Sequence, residues 1–300
     1  MKPAISLLVC DLDNTLYDWV TFFSAAFYAM VEEACRILDA PIDELLDDLQ
    51  KVHQRHHNSE QPFALLETRA VLSKYPDLNR IELNEKLNSA FHSFNSVRHK
   101  TLRPYPSVIP TLASIQGTGC KIVGHTEATV VNAKFRLNKL GLTRFVSHLY
   151  ALEHRGPGHP NPQQATGPAG FEKVRRLKLH QRKPDPEVLI QICDDVGVSP
   201  HETLYVGDSL ASDIGMARDA GVHSAWAKYG TKYNPESWKK LVRITHWTAE
   251  DVSRAEKIKQ KYGEVQPDVT LNESISELLD FFHFTDPLLR SSCTNSSLKP

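Results

Sequence analysis

Two aspartates, Asp11 and Asp13, follow the apolar run of residues 5 to 10 in the stretch "LLVCDLDNTLYDW". Carboxylates one residue apart at the end of a buried strand repel each other unless a cation or a shared proton lies between them. A structural alternative exists, because an aspartate at such a turn can also cap the next helix. The position at the end of an apolar run favours the chemical interpretation, in which both carboxylates face a ligand.

A second acidic pair occurs in "VGDSLASD", where Asp208 follows another apolar run and Asp213 lies one turn into the next helical pattern. A capped helix start would again be the structural alternative. Two strands that each bring an aspartate to the same sheet edge make an oxygen-rich site for a hard cation, and Mg²⁺ is the ion we predict.

Two further residues could act on an anion. Thr126 follows an apolar run in "IVGHTEAT", where its hydroxyl can donate to a phosphoryl oxygen or simply cap a helix. Lys183 lies in "RKPDP", before a helix that two prolines open, where its ammonium could lie between a carboxylate and a phosphate. A lysine within a basic run is otherwise an ordinary solvated residue.

The elements that would position these side chains alternate along the chain. Apolar runs at residues 5 to 10, 120 to 125, 203 to 207 and 223 to 227 are typical of strands buried on both faces, and helical patterns lie between them. This alternation predicts an α/β fold with a doubly wound, Rossmann-like parallel sheet. Ligands bind such sheets beyond the carboxyl ends of the strands, where the residues above fall.

The region from residue 18 to 100 interrupts the alternation with four successive helical patterns. We predict an inserted helical-bundle cap at 18–100 over a core formed by 1–17 and 101–285. The Gly- and Pro-rich segment 155–170 predicts a flexible loop, and 286–300 a disordered tail. The basic run at 173–183 predicts either a grip on a second anionic group or, more simply, the solvated face of a helix.

Net charge, cysteine spacing and the first apolar run each argue against certain classes of partner or site. The chain of 300 residues has a formal net charge of -1, so no global field attracts nucleic acid or an anionic membrane. Five cysteines without CxxC spacing fit neither a disulfide framework nor a zinc site. The first apolar run is too short for a secretory signal or a membrane span. We therefore expect a soluble cytoplasmic protein without nucleic-acid or membrane partners; the sequence does not indicate its oligomeric state.

Together the motifs resemble those of phosphatases of the haloacid dehalogenase (HAD) superfamily. The ordered set is "DLDNT" from Asp11, Thr126 after a strand, Lys183 in "KPDP" and "GDSLASD" from Gly207. The resemblance covers about residues 5 to 230, and the inserted helices resemble the superfamily's helical C1-type cap.

The resemblance implies a catalytic role for each motif. Asp11 would be the nucleophile that attacks phosphorus and forms an aspartyl-phosphate. Asp13 would be the general acid for the leaving alkoxide and then the general base for the hydrolytic water. Thr126 would hold a phosphoryl oxygen, and Lys183 would pair with Asp11 and the phosphate.

A Mg²⁺ cofactor is also implied by the resemblance. The Asp11 carboxylate, the Asp13 backbone carbonyl and Asp208 would be its ligands, while Asp213 would act through water or by orienting Lys183. The presence of Asp13 argues against a dehalogenase, because a halide leaving group needs no proton.

The implied function is a phosphomonoester hydrolase whose partner is a small phosphorylated metabolite. "DLDNTLY" resembles the first motif of pyrimidine 5′-nucleotidases, which favours a nucleoside 5′-monophosphate; a sugar phosphomutase and a non-catalytic HAD-fold binding protein are the alternatives. Tyr17 and Trp19 are predicted to stack on a base or ring, although Trp19 could simply start a helix core stripe. Glu127, where many relatives carry asparagine, either binds a cationic substrate group or points away.

Overall fold

The central layer of the protein is a parallel sheet. The computed structural model describes residues 2–61, 63–154, 156–161 and 173–287. Its strands are β1 (Ala4–Ile5), β2 (Leu7–Cys10), β3 (Lys121–Thr129), β4 (His148–Leu152), β5 (Lys173–Leu177), β6 (Thr203–Gly207), β7 (His223–Ala227), β8 (Val269–Leu271) and β9 (His283–Phe284). Seven of them form one parallel sheet in the order β5-β4-β3-β2-β6-β7-β8, and β1 pairs separately with β9. The predicted α/β fold is confirmed.

Strand β2 occupies the middle of this sheet because all four of its residues are apolar and buried. Its last residue, Cys10, pairs with Gly124 of β3 on one side and with Val206 of β6 on the other. Asp11 continues from β2, and its backbone N–H donates to the Val206 carbonyl at 2.9 Å. The residues that follow Cys10, Gly124 and Val206 therefore emerge at one edge of the sheet.

The chain segments between the strands form helices. They are α1 (Trp19–Leu38), α2 (Ile42–His56), α3 (Arg69–Lys74), α4 (Arg80–Lys86), α5 (Asn88–Thr101), α6 (Val108–Gly117), α7 (Val130–Lys139), α8 (Pro186–Val196), α9 (Gly215–Asp219), α10 (Pro235–Arg243), α11 (Ala249–Tyr262) and α12 (Leu278–Phe281). Helix α1 begins where the Asp18 side chain accepts from the Thr21 N–H at 2.9 Å. None of these described helices is long and apolar enough to cross a bilayer.

Helices α1 to α5 fill the region between β2 and α6. A single apolar cluster runs from Leu8 of β2 through Phe27 of α1 to Leu45 of α2, so these helices share their core with the sheet. On the far side, the Tyr28 hydroxyl of α1 donates to the Lys240 carbonyl of α10 at 3.2 Å. The division of the chain into a separate cap and core remains a prediction.

Three of the described strands, β4, β5 and the two-residue β9, were not predicted from the sequence. Strand β5 lies within the basic run 173–183, so the interpretation of that run as the face of a helix is wrong. The pattern failed because β5 is an edge strand whose Lys173, Arg175 and Arg176 are exposed, and charged side chains are common on sheet edges. Residue 155 and residues 162–170 of the predicted loop, like 288–300 of the predicted tail, lie outside the described residues.

Candidate active site

Lys183 lies between two buried carboxylates at the carboxyl edge of the sheet. Its Nζ is 2.5 Å from Oδ1 of Asp11 and 2.8 Å from Oδ1 of Asp213. Burial alone lowers the pKa of Lys183, but Asp11 and Asp213 more than offset this effect and raise the pKa well above its usual value. The ammonium is therefore charged and neutralises the two acids beside it.

The second carboxylate oxygen of Asp11 is also fixed. Oδ2 accepts a hydrogen bond from the Thr15 hydroxyl at 2.9 Å, and the whole side chain is buried. Burial raises the pKa of Asp11 to about 7, an effect that Lys183 opposes and Asp213 reinforces. Thr15 therefore orients the carboxylate, and Lys183 favours its ionised form.

The turn after β6 brings Asp213 to this position. A π-helical turn, Leu210–Ile214, follows Ser209, whose backbone N–H donates to Asp213 Oδ2 at 2.9 Å. A Cβ atom on Gly207 would collide with the Asp213 carboxylate. Glycine is therefore required at the end of β6 for the acid to reach Lys183.

Asp11, Asp208 and Asp213 form a carboxylate cluster. One oxygen of each lies within 4.8 Å of those of the others. Burial, followed by the charges of Asp11 and Asp213, raises the pKa of Asp208 well above its usual range, and Lys183 opposes this shift only in part. Such an all-oxygen donor set fits a hard divalent cation. The predicted ligation by the Asp13 backbone carbonyl remains a prediction.

Asp13 belongs to a different network, one that the sequence did not reveal. Both of its carboxylate oxygens accept from Nη1 of Arg136, at 2.8 and 3.1 Å. Arg136, which is buried, also pairs with Glu60, and Glu60 in turn accepts from the Trp19 indole and from Asn132. Burial raises the pKa of Asp13, and Arg136 opposes that shift.

The remaining predicted residues separate into two groups. Thr126 is buried at the bulge near the end of β3, where its Oγ1 accepts from the Ala128 N–H at 3.1 Å, and Glu127 beside it is exposed. These two residues and Trp19 line the same cavity as Asp11. Tyr17 is fully buried and is not among the lining residues, so this geometry gives no support to its predicted contact with substrate.

The cavity above the sheet edge has a volume of about 370 Å³, and all of the predicted site residues except Tyr17 line it. Those that line it are Asp11, Asp13, Trp19, Thr126, Glu127, Lys183, Asp208 and Asp213. Residues 58–60 and His246 also line it, and no motif marked them in the sequence. The arrangement offers a positioned carboxylate, a charged lysine and a carboxylate cluster suited to a cation in one small space.

Comparison with known proteins agrees with this chemistry. A family model described as haloacid dehalogenase-like hydrolase matches residues 5–221. The chain is 27% identical to a protein named glyceraldehyde 3-phosphate phosphatase from Methanopyrus kandleri, over 73% of this chain and 82% of that one. It is 24% identical to a protein named phosphoglycolate phosphatase from Agrobacterium fabrum, over 76% of this chain and 83% of that one.

Two solved structures share the fold. A 2-haloacid dehalogenase from Pseudomonas syringae superposes with a TM-score of 0.54 at 20% identity, covering 96% of this chain and 99% of that one. A HAD phosphatase from Thermococcus onnurineus gives a TM-score of 0.53 at 17% identity, covering 94% and 100%. Because the family model spans more than half of the chain, the protein belongs to the haloacid dehalogenase-like hydrolases, which confirms the predicted family and the prediction of a hydrolytic enzyme.

Proposed function

We propose that this hydrolase is a Mg²⁺-dependent phosphomonoesterase for a small phosphorylated metabolite, acting through an aspartyl-phosphate on Asp11. The observation that carries the proposal is the buried Lys183, whose ammonium lies between Asp11 and Asp213 at the wall of the 370 Å³ cavity. A cavity of this size suits a small molecule. Relatives named as phosphatases of glyceraldehyde 3-phosphate and of phosphoglycolate support the same substrate class.

The first chemical step uses the Asp11 carboxylate as the nucleophile. It attacks phosphorus while the bond from phosphorus to the leaving oxygen breaks, and Asp13 gives its proton to the leaving alkoxide. Lys183 and the Thr126 hydroxyl hold the phosphoryl oxygens as negative charge shifts during the transfer. Asp11 then carries the phosphoryl group as an aspartyl-phosphate, which is a mixed anhydride.

The second step releases Asp11. Asp13, now ionised, takes a proton from water, which attacks phosphorus and breaks the bond to the Asp11 oxygen. Asp11, Asp208 and the Asp13 backbone carbonyl would hold Mg²⁺, which when bound supplies positive charge beside the phosphoryl oxygens. Asp213 would keep Lys183 in place, since the two are already paired.

The test is inorganic phosphate release from a panel of phosphate esters, with Mg²⁺ or with EDTA. Glyceraldehyde 3-phosphate, 2-phosphoglycolate and nucleoside 5′-monophosphates belong in the panel, because the first two occur in the names of relatives and the third was predicted from the first motif. We expect Mg²⁺-dependent release that Asp11→Asn lowers by at least about a thousandfold.

Asp39→Asn is the matched control for this substitution. Asp39 is exposed at the end of α1 with φ 51°, a conformation that asparagine also adopts, so its replacement should leave turnover unchanged. Release that survives both EDTA and Asp11→Asn would contradict the proposal. Isomerised sugar phosphate without net phosphate release would favour the mutase instead.

A further inference from the structure

A second cavity adjoins the catalytic one. Its volume is about 310 Å³, and Ser59 and Glu60 line both cavities. Seven phenylalanines line it, among them Phe23 of α1, Phe94 of α5 and Phe135 of α7. We call it the aromatic cavity; nothing in the mechanism above uses it.

Gln61 contributes a polar side chain to the lining of the aromatic cavity. The residue is only 5% exposed, and neither its amide oxygen nor its amide nitrogen has a hydrogen-bond partner in the described structure. Among the described residues Nε of Arg98 also has no partner, although its Nη2 donates to Asn95, and the guanidinium lies 3.7 Å over the Phe135 ring. Buried polar groups are normally paired, so this unpaired amide at the cavity wall is suited to pair with a ligand that displaces its neighbours and reaches it.

We infer that the aromatic cavity holds the leaving group of the phosphoester, and that this group is a planar ring carrying an adjacent hydrogen-bond donor and acceptor. Aromatic walls favour a planar ring, which can stack or meet them edge-on. The Gln61 amide offers one donor and one acceptor side by side, which complements a ring with a lactam edge. The inference rests on the proposed function, since it assumes that the phosphoryl group lies at Asp11.

A bound phosphoester with its phosphate at Asp11 and its ring in the aromatic cavity would pass the wall that the two cavities share at Ser59 and Glu60. The Glu60 carboxylate there accepts from the Trp19 indole and from Asn132 Nδ2, the latter at 2.8 Å, and it pairs with Arg136. A hydroxylated linker between phosphate and ring would find donors and acceptors at this wall.

Kinetics with three esters test the inference: uridine 5′-monophosphate has a ring with a lactam edge, phenyl phosphate a ring without one, and 2-phosphoglycolate no ring. Gln61→Leu should raise KM for uridine 5′-monophosphate about tenfold with little change in kcat, and should leave the other two esters unchanged. An equal change for all three esters, or none for uridine 5′-monophosphate, would overturn the inference.

Val131→Trp fills the aromatic cavity from its rim, where Val131 is 50% exposed. It should raise KM for both ring esters and not for 2-phosphoglycolate, while Val242→Trp, at a similarly exposed valine outside both cavities, should change none. A wild-type enzyme whose kcat/KM is highest for 2-phosphoglycolate would overturn the inference and leave the proposed function standing.

Calorimetric titration with unphosphorylated uridine and inosine separates this inference from the phosphatase proposal. Either nucleoside should bind the wild-type protein and bind Gln61→Leu about tenfold more weakly, whether or not any ester is hydrolysed. Nucleoside binding without hydrolysis of any ester would support ring binding in the aromatic cavity and contradict the proposed function. Equal binding to both proteins, or no binding of either nucleoside, would overturn the inference.

Discussion

Asp13 is the residue whose chemistry depends most on its immediate neighbours. Arg136 holds both of its oxygens and so favours the carboxylate, whereas a general acid must carry a proton when the reaction begins. Burial raises the pKa of Asp13 and works against Arg136. We therefore expect substrate to loosen this ion pair, since the approaching leaving oxygen must replace Arg136 at one carboxylate oxygen.

Removing Arg136 should expose how strongly the network depends on it. Arg136→Met leaves the partly buried Glu60 and Asp13 without the cation that they share, and should lower the free energy of unfolding by about 3–5 kcal/mol. Urea denaturation measures the change. Adding Glu60→Gln should recover part of the loss.

Arg36→Met is the control for that experiment. Arg36 forms an exposed pair with Glu33, so its loss should cost less than about 1 kcal/mol. A similarly small loss for Arg136→Met would show that the buried network contributes little to stability.

At the scale of elements, the end of β6 and the turn behind it decide where Asp213 lies. Gly207→Ala places a Cβ against the Asp213 carboxylate, so the π-helical turn must shift and separate Asp213 from Lys183. We expect kcat to fall by at least about tenfold, because a small misplacement of catalytic groups has large effects. Gly117→Ala, at the end of α6 with open space around it, should be neutral. Unchanged turnover in Gly207→Ala would contradict this account of the turn.

The elements also show what the sequence can predict. Strands β2 and β6 were predictable because they are uniformly apolar runs followed by acids, and their pairing brings Asp11 and Asp208 together. Strand β5 was not, because an edge strand with basic side chains lacks an apolar pattern. The Arg136–Glu60 pair also left no signal, since its partners are 76 positions apart and each resembles an ordinary surface charge.

At the scale of the whole molecule, His53 joins the inserted helices to the C-terminal half. It is fully buried in α2, and its Nδ1 lies 2.7 Å from the Ile244 carbonyl just beyond α10. A carbonyl only accepts, so Nδ1 carries the proton. Burial, partly opposed by this hydrogen bond, lowers the pKa of His53 to about 4, so the folded protein holds the ring neutral.

Stability should therefore depend on pH through His53. The His53 ring takes up a proton near pH 6.5 in the unfolded chain but only near pH 4 in the folded protein. The stability that neutral His53 contributes above pH 6.5 is therefore lost as the pH falls from 6.5 to 4, by about 3 kcal/mol in total. Because Asp11 and other carboxylates with raised pKa values also titrate in this range, the measurement is a comparison: in urea titrations from pH 7 to pH 4, His53→Leu should lose about 3 kcal/mol less stability than the wild type or than His201→Leu, a control at an exposed histidine. An unchanged slope in His53→Leu would contradict the assignment to His53.

The central claim is the phosphoryl group on Asp11, and a burst experiment tests it most directly. With 4-nitrophenyl phosphate the leaving group needs no proton, so Asp13→Asn should form the aspartyl-phosphate quickly and hydrolyse it slowly. The prediction is a Mg²⁺-dependent burst of one nitrophenolate per active site, with a phosphoryl group mapped to Asp11 by mass spectrometry after acid quench. Steady turnover without a burst, or a phosphoryl group on another residue, would contradict the account.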